Sequence, residues 1–184
     1  KFQANGGIGI VASRMLLEGP LKKGTSSFLL GGRATYAHLL LPLFDVDNIA
    51  YFYDLNTKIS YKLNHKNNIY LSGYFGRDVF SISDSFRNTY GNTVVNFRWN
   101  HLFSDQLFSN LSLIYSDYYY GLNLNFVGFE WNSGIQNMNI KYDFKQYIND
   151  RYKLEYGIHS TYYRFNPGVI SPDGPDSGIN REAL

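Results

Sequence analysis

The chain has 184 residues, with 17 lysines and arginines against 15 aspartates and glutamates and no cysteine. That length suits one domain. The net charge of +2 argues against a nucleic-acid partner, and the lack of cysteine excludes disulfide staples and thiolate metal sites.

Aromatic residues are abundant, with 17 Tyr and 14 Phe. Mean hydropathy is −0.30, a value that fits a soluble protein and equally a membrane barrel whose inward half is polar. No apolar run approaches the roughly 18 residues of a membrane helix. Lys1 opens a glycine-rich strand rather than a signal peptide, so the chain is expected to be a mature or truncated form.

In chain order, residues 6–18 read as a first strand. Gly7, Gly9 and Ala12 fit the pattern G-x-G-x-x-A, but no strand precedes them and SRMLLE continues extended rather than opening a helix. A dinucleotide site needs both. Residues 19–24 (GPLKKG) are a turn, and residues 27–36 return as a strand. Residues 42–50 form a loop whose Asp45 and Asp47 lack the glycine and closing glutamate of a calcium loop. Tyr53, Leu55, Thr57, Ile59, Tyr61 and Leu63 then alternate with Asp54, Asn56, Lys58, Ser60 and Lys62, the period-two signature of a strand with unlike faces. After a turn at NHKN, Ile69, Leu71, Gly73 and Phe75 continue the pattern, and residues 81–90 read as a polar loop.

Residues 91–120, GNTVVNFRWNHLFSDQLFSNLSLIYSDYYY, form the longest hairpin, turning at SDQ. Thr93, Val95, Phe97 and Trp99 oppose Asn92, Val94, Asn96 and Arg98; on the return, Leu111, Leu113 and Tyr115 oppose Asn110, Ser112 and Ser116, with Ile114 and Asp117 out of phase. Residues 121–128 read as a loop. Met138, Ile140, Tyr142 and Phe144 mark the next strand, and Tyr152, Leu154, Tyr156, Ile158 and Tyr162 the last, which ends at Asn166-Pro167-Gly168. All five prolines are expected outside strands.

About eight strands with alternating short and long connections predict an all-β, antiparallel up-and-down transmembrane β-barrel. The arms suit tilted membrane crossings, which need about nine to eleven residues. Short turns are then periplasmic and longer loops extracellular, which sends the first strand from outside inward and leaves both chain ends outside.

The words RWNHLFSDQLFSN and IYSDYYY resemble a signature of TonB-dependent outer-membrane receptors of the Bacteroidetes type. The likeness extends from GGIGIVASRMLLEGPLKKGTSSFLLGGRATY through YFYDLNTKISYKL and YLSGYFGRDVF to YYRFNPG. The resemblance implies that residues 1–184 are an internal part of a larger β-barrel, with a plug domain, a first strand and later strands outside them. It implies location in the Gram-negative outer membrane and import of a scarce nutrient such as a glycan, siderophore or cobalamin. The partners it implies are outer-membrane lipid, the plug and remaining strands, the TonB complex and, where one exists, a surface lipoprotein. Two other classes compete: a self-contained small outer-membrane barrel with a structural or adhesive role, and a soluble carbohydrate-binding β-sandwich.

No nucleophile elbow and no spaced Ser, His and acid point to catalysis. The histidines at 38, 65, 101 and 159 lack ligand spacing. No catalytic residue, metal site or cofactor is therefore expected. Lys58, Arg98, Lys141 and Asp143 share the polar faces and are candidates for a lumen-facing substrate path. Tyr51, Tyr53, Tyr118, Tyr119 and Tyr120 are candidates for the outer aromatic girdle or for ligand stacking at the mouth.

Overall fold

The computed structural model describes residues 1–39, 48–82 and 85–172. They form one nine-stranded antiparallel sheet in which every strand pairs with its neighbours in sequence. The strands are β1 (Gln3–Ile8), β2 (Ala12–Lys22), β3 (Ser26–Thr35), β4 (Ile49–Asn64), β5 (Asn67–Ile82), β6 (Phe86–Ser104), β7 (Leu107–Leu124), β8 (Phe129–Tyr147) and β9 (Lys153–Pro172). The all-β, up-and-down expectation holds, and the count rises from eight to nine.

The extra strand comes from the first segment, which is two strands rather than one. Residues 9–11 turn it, with the Gly9 N–H donating to the Ala12 carbonyl at 3.0 Å and the Tyr36 hydroxyl donating to the Gly9 carbonyl. Gly-Ile-Gly-Ile-Val carries no polar turn residue, so the alternation test runs straight through it. An odd strand count places Lys1 at the opposite end of the sheet from the end of β9, which corrects the expectation of two ends on one side.

The expected long loops also shrink. β5 and β6 leave only residues 83–85 between them, and β7 runs to Leu124 before a 3-10 turn at Asn125–Val127. Gly128, at φ 61°, closes that turn in the left-handed region. From β4 onward the strands themselves are 16 to 20 residues long. The polar loop residues are strand residues whose backbone ladder continues although no apolar alternation marks it. Three further corrections concern proline, one of them Pro172, the last residue of β9 and opposite Phe129. Pro20 lies in β2 beside a register shift, and Pro167 lies inside β9 at another. Bulges and edge strands tolerate the missing N–H.

There is one layer of sheet. Among the described residues Val79, 3% exposed, is the only buried hydrophobic side chain. A β-sandwich buries the inner faces of two sheets, so the sandwich architecture does not describe this chain. Nor is the sheet closed: β1 and β9 each have one neighbour and do not pair with each other.

Directly opposed residues in antiparallel strands share a face, so the register sorts every strand residue. One face carries Leu113 in the row Ile59–Leu71–Phe97–Leu113–Ile140; the other carries Ser112 in the row Ser60–Tyr70–Arg98–Ser112–Lys141–His159. Each face changes character along the strands. From the end with the Asp105-Gln106 turn, the Leu113 face is mostly apolar for about five positions per strand. It then becomes polar at Asp117, Gln136 and Arg164, and further on at Arg77, Arg87 and Glu130. The Ser112 face does the reverse. It is polar beside the apolar zone and becomes aromatic towards the Phe126 end.

Aromatic rings border the apolar zone on both sides. At the Asp105 end, Trp99, His101, Phe103, Tyr142, Phe144 and Tyr156 form a chain of ring contacts, the closest being His101 to Phe103 at 4.3 Å. Trp99 Nε1 donates to Asn67 Oδ1 at 2.9 Å. At the other border Tyr51 stacks on Tyr53, and Tyr53 meets Phe75 at 6.0 Å. From Tyr53 to Tyr61 is about 26 Å along the strand, at roughly 3.3 Å per residue.

Candidate functional site

The Ser112 face gathers the polar chemistry. Lys58 on β4, Arg98 on β6, and Lys141 and Asp143 on β8 all lie on it, as the alternation implies. They do not converge on one point. Lys141 Nζ pairs with Asp143 at 3.3 Å, while Lys58 Nζ lies over the Tyr70 ring, 5.6 Å from its centroid. Arg98 sits opposite Tyr70 and Ser112. Nearer the Asp105 end, Glu155 bridges Lys145 and Lys153 at 3.1 and 2.8 Å. These are spread counter-charges on a wet surface rather than a catalytic cluster.

Between the charges runs a column of amides. Asn88, Asn92, Asn96 and Asn100 recur at every fourth residue of β6, which places all four on this face. Asn110 opposes Asn100, and Asn137 opposes Ser116. The side-chain oxygens of these six asparagines are enclosed and take no donor from within the described chain. Asn139, two residues beyond Asn137 on β8, has its Nδ2 engaged: it donates to Thr161 Oγ1 at 2.9 Å and contacts His159 Nε2 at 2.7 Å.

Towards the Phe126 end the same face becomes an aromatic field. Phe80 meets Phe86 edge to face at 6.2 Å, and Tyr120 meets Trp131 at 5.6 Å. Tyr90 opposes Tyr120, and Tyr118 lies between Asn92 and Ile135. The field is interleaved with polar groups, notably Asn88 and Asp78. Burial raises the Asp78 carboxyl pKa from its ordinary value; the nearby Arg33 guanidinium opposes that rise and the Asp54 charge adds to it.

The five candidate tyrosines therefore split. Tyr51 and Tyr53 lie on the Leu113 face at the border of the apolar zone, as a girdle requires. Tyr119 shares that face beyond the border, where its hydroxyl donates to Asn132 Oδ1 at 2.9 Å. Tyr118 and Tyr120 point to the opposite face, because neighbours along a strand alternate. They belong to the aromatic field and not to the girdle.

Two groupings escape the alternation test. Arg33 pairs with Asp54 across β3 and β4, stacks over Phe52 at 5.1 Å, and lies opposite Arg14. The aromatic field escapes it too, because the phase of apolar residues inverts partway along each strand. Asp117, out of phase in the sequence, marks that inversion. The acidic loop at Asp45 and Asp47 lies outside the described residues. Among the described residues no group of three or more His, Asp or Glu is placed to hold a metal ion, and no helix is long and apolar enough to cross a membrane. Comparison of the chain with protein-family models, curated proteins and solved structures finds no match in any of the three.

Proposed function

We propose that this chain is the β-barrel portion of a TonB-dependent outer-membrane receptor that imports a scarce nutrient, with the Leu113 face against lipid and the Ser112 face towards the lumen. One observation carries the membrane part. Over the same stretch of strand, one face of a single sheet is apolar and bordered by aromatic rings while the other is polar. A membrane barrel needs that combination, and a soluble single-layer sheet would leave the apolar face in water. Leu113, 40% exposed, and Ile158, 78% exposed, are typical of it. The receptor part rests on the sequence words quoted above.

Of the three nutrient classes, glycans suit the Ser112 face best. Asparagine side chains and interleaved aromatic rings match a ligand with hydroxyls on its edges and apolar ring faces. The plug, the TonB complex and a surface lipoprotein follow as proposed partners of the intact receptor. A small self-contained barrel is less well supported, because β1 and β9 do not pair.

The test is sidedness in the outer membrane of intact cells. Phe126 is 71% exposed in the turn after β7, and Asp105 is in the turn before it. Cysteine replacing Phe126 is expected to react with a membrane-impermeant maleimide, and cysteine replacing Asp105 only after the cells are opened. Equal labelling of both in closed cells would defeat the membrane-spanning assignment.

A further inference from the structure

Besides Lys22, which the β2 register shift places at the Asp105 end, the strands of the Leu113 face carry five charged side chains among the described residues, Arg77, Asp117, Arg87, Glu130 and Arg164. All five lie beyond the apolar zone, towards the Phe126 end. The two carboxylates are already engaged by neutral donors. Asp117 accepts from Gln136 at 3.1 Å and from the Tyr115 hydroxyl at 3.3 Å, and Glu130 accepts from Asn132 at 2.7 Å. The three arginines are exposed and form no ion pair among the described residues.

Arg77 and Arg87 line one shallow cleft with Tyr119, and Glu130 contributes to its far wall. The cleft continues past Arg77 over Gly91, which lies between Arg77 and Tyr119 in the ladder. A glycine there leaves a trough with no side chain in its floor. Arg87 does not line that trough; the two guanidinium forks meet in the first cleft, whose lining includes Gly121, and there they match the oxygens of a phosphate.

We infer that this cleft binds the phosphate of an anionic lipid headgroup in the leaflet nearest the Phe126 end. The inference rests on the membrane reading above. Its added support is depth: the arginines begin where the apolar zone stops, the level at which a bilayer places its phosphates. A soluble phosphate compound offers the same chemistry but has no reason to be met at that depth on the lipid-facing side.

The test uses the intact receptor that contains this sheet, refolded into phosphatidylcholine vesicles, with insertion read from quenching of tryptophan fluorescence by brominated acyl chains. Spin-labelled phosphatidic acid is compared with spin-labelled phosphatidylcholine for association with the protein. Two arginines near a charged headgroup predict a preference of about thirtyfold. The double variant R77Q/R87Q is expected to insert equally well and to lose most of that preference. Millimolar inorganic phosphate is expected to leave the wild-type preference intact. Insertion without preference, or a double variant that keeps it, would overturn the inference and leave the barrel reading standing. Displacement by inorganic phosphate would overturn the lipid as the source. Failure of the wild type to insert would overturn both readings.

Discussion

Replacing Leu113 by arginine separates a lipid-facing sheet from a water-facing one. Leu113 lies in the middle of the apolar zone of β7, between Phe97 on β6 and Ile140 on β8, and is 40% exposed. A guanidinium at the midplane of a barrel's lipid face costs about 2–4 kcal/mol. At one decade per roughly 1.4 kcal/mol, the folding equilibrium should fall about 30- to 700-fold. The control is Asn110→Arg on the same strand, three residues away and on the other face. There the new charge sits opposite Asn100 and Asp143 and meets a carboxylate; a change within about 1 kcal/mol is expected for a solvated pair. Ser112 is a poorer control, because it is 4% exposed and lies between Arg98 and Lys141. The assay is urea titration of both variants after refolding into phosphatidylcholine vesicles, followed by far-ultraviolet circular dichroism. Equal effects would mean that the Leu113 face does not meet hydrocarbon. A larger loss in Asn110→Arg would mean that the faces are reversed.

Two predictions concern the backbone. Gly168 has φ 107°, and a Cβ there would overlap the Trp131 indole, whereas Gly24, at φ 74°, has open space around it. Gly168→Ala should therefore cost about 1–3 kcal/mol and shift the Trp131 emission in a Trp99→Phe background, while Gly24→Ala should cost about 1 kcal/mol or less; equal losses would remove the indole contact from the account. Because β1 and β9 each leave one side of the ladder open, the 184-residue polypeptide by itself in detergent should run as an assembly in light scattering. A monodisperse monomer would show that the two edges close on each other.

What could be read from the sequence follows the physics of each signal. Alternation from Tyr53 to Leu63 and from Thr93 to Trp99 located β4 and β6, because there one face is mostly apolar and the other mostly polar. It assigned Lys58, Arg98, Lys141 and Asp143 to one face for the same reason. It failed where the contrast between faces reverses. Around Asn88 to Asn92 and Tyr118 to Leu122 the pattern changes phase, and such stretches look like loops although their backbones remain paired. It failed again at residues 9–11, where hydrophobic residues make the turn. Nor could adjacent tyrosines at 118, 119 and 120 be sorted until the register of β6 and β7 fixed which of them pointed which way.

On the proposed membrane reading, the change of character on each face acts as a waterline. Suppose the sheet sank by two residues per strand, about 7 Å. Asp117 and Arg164 would enter hydrocarbon on one face. Raising it by the same amount would lift Phe75, Tyr115 and Met138 out of the oil. Both displacements run uphill, so the vertical position of the sheet is held by its own side chains, much as a hull floats at the level where its weight and buoyancy balance. Pulling on such a sheet from the periplasmic side would meet this restoring force before any strand unzipped. A device that draws cargo inward could then pull without dragging the wall along with it.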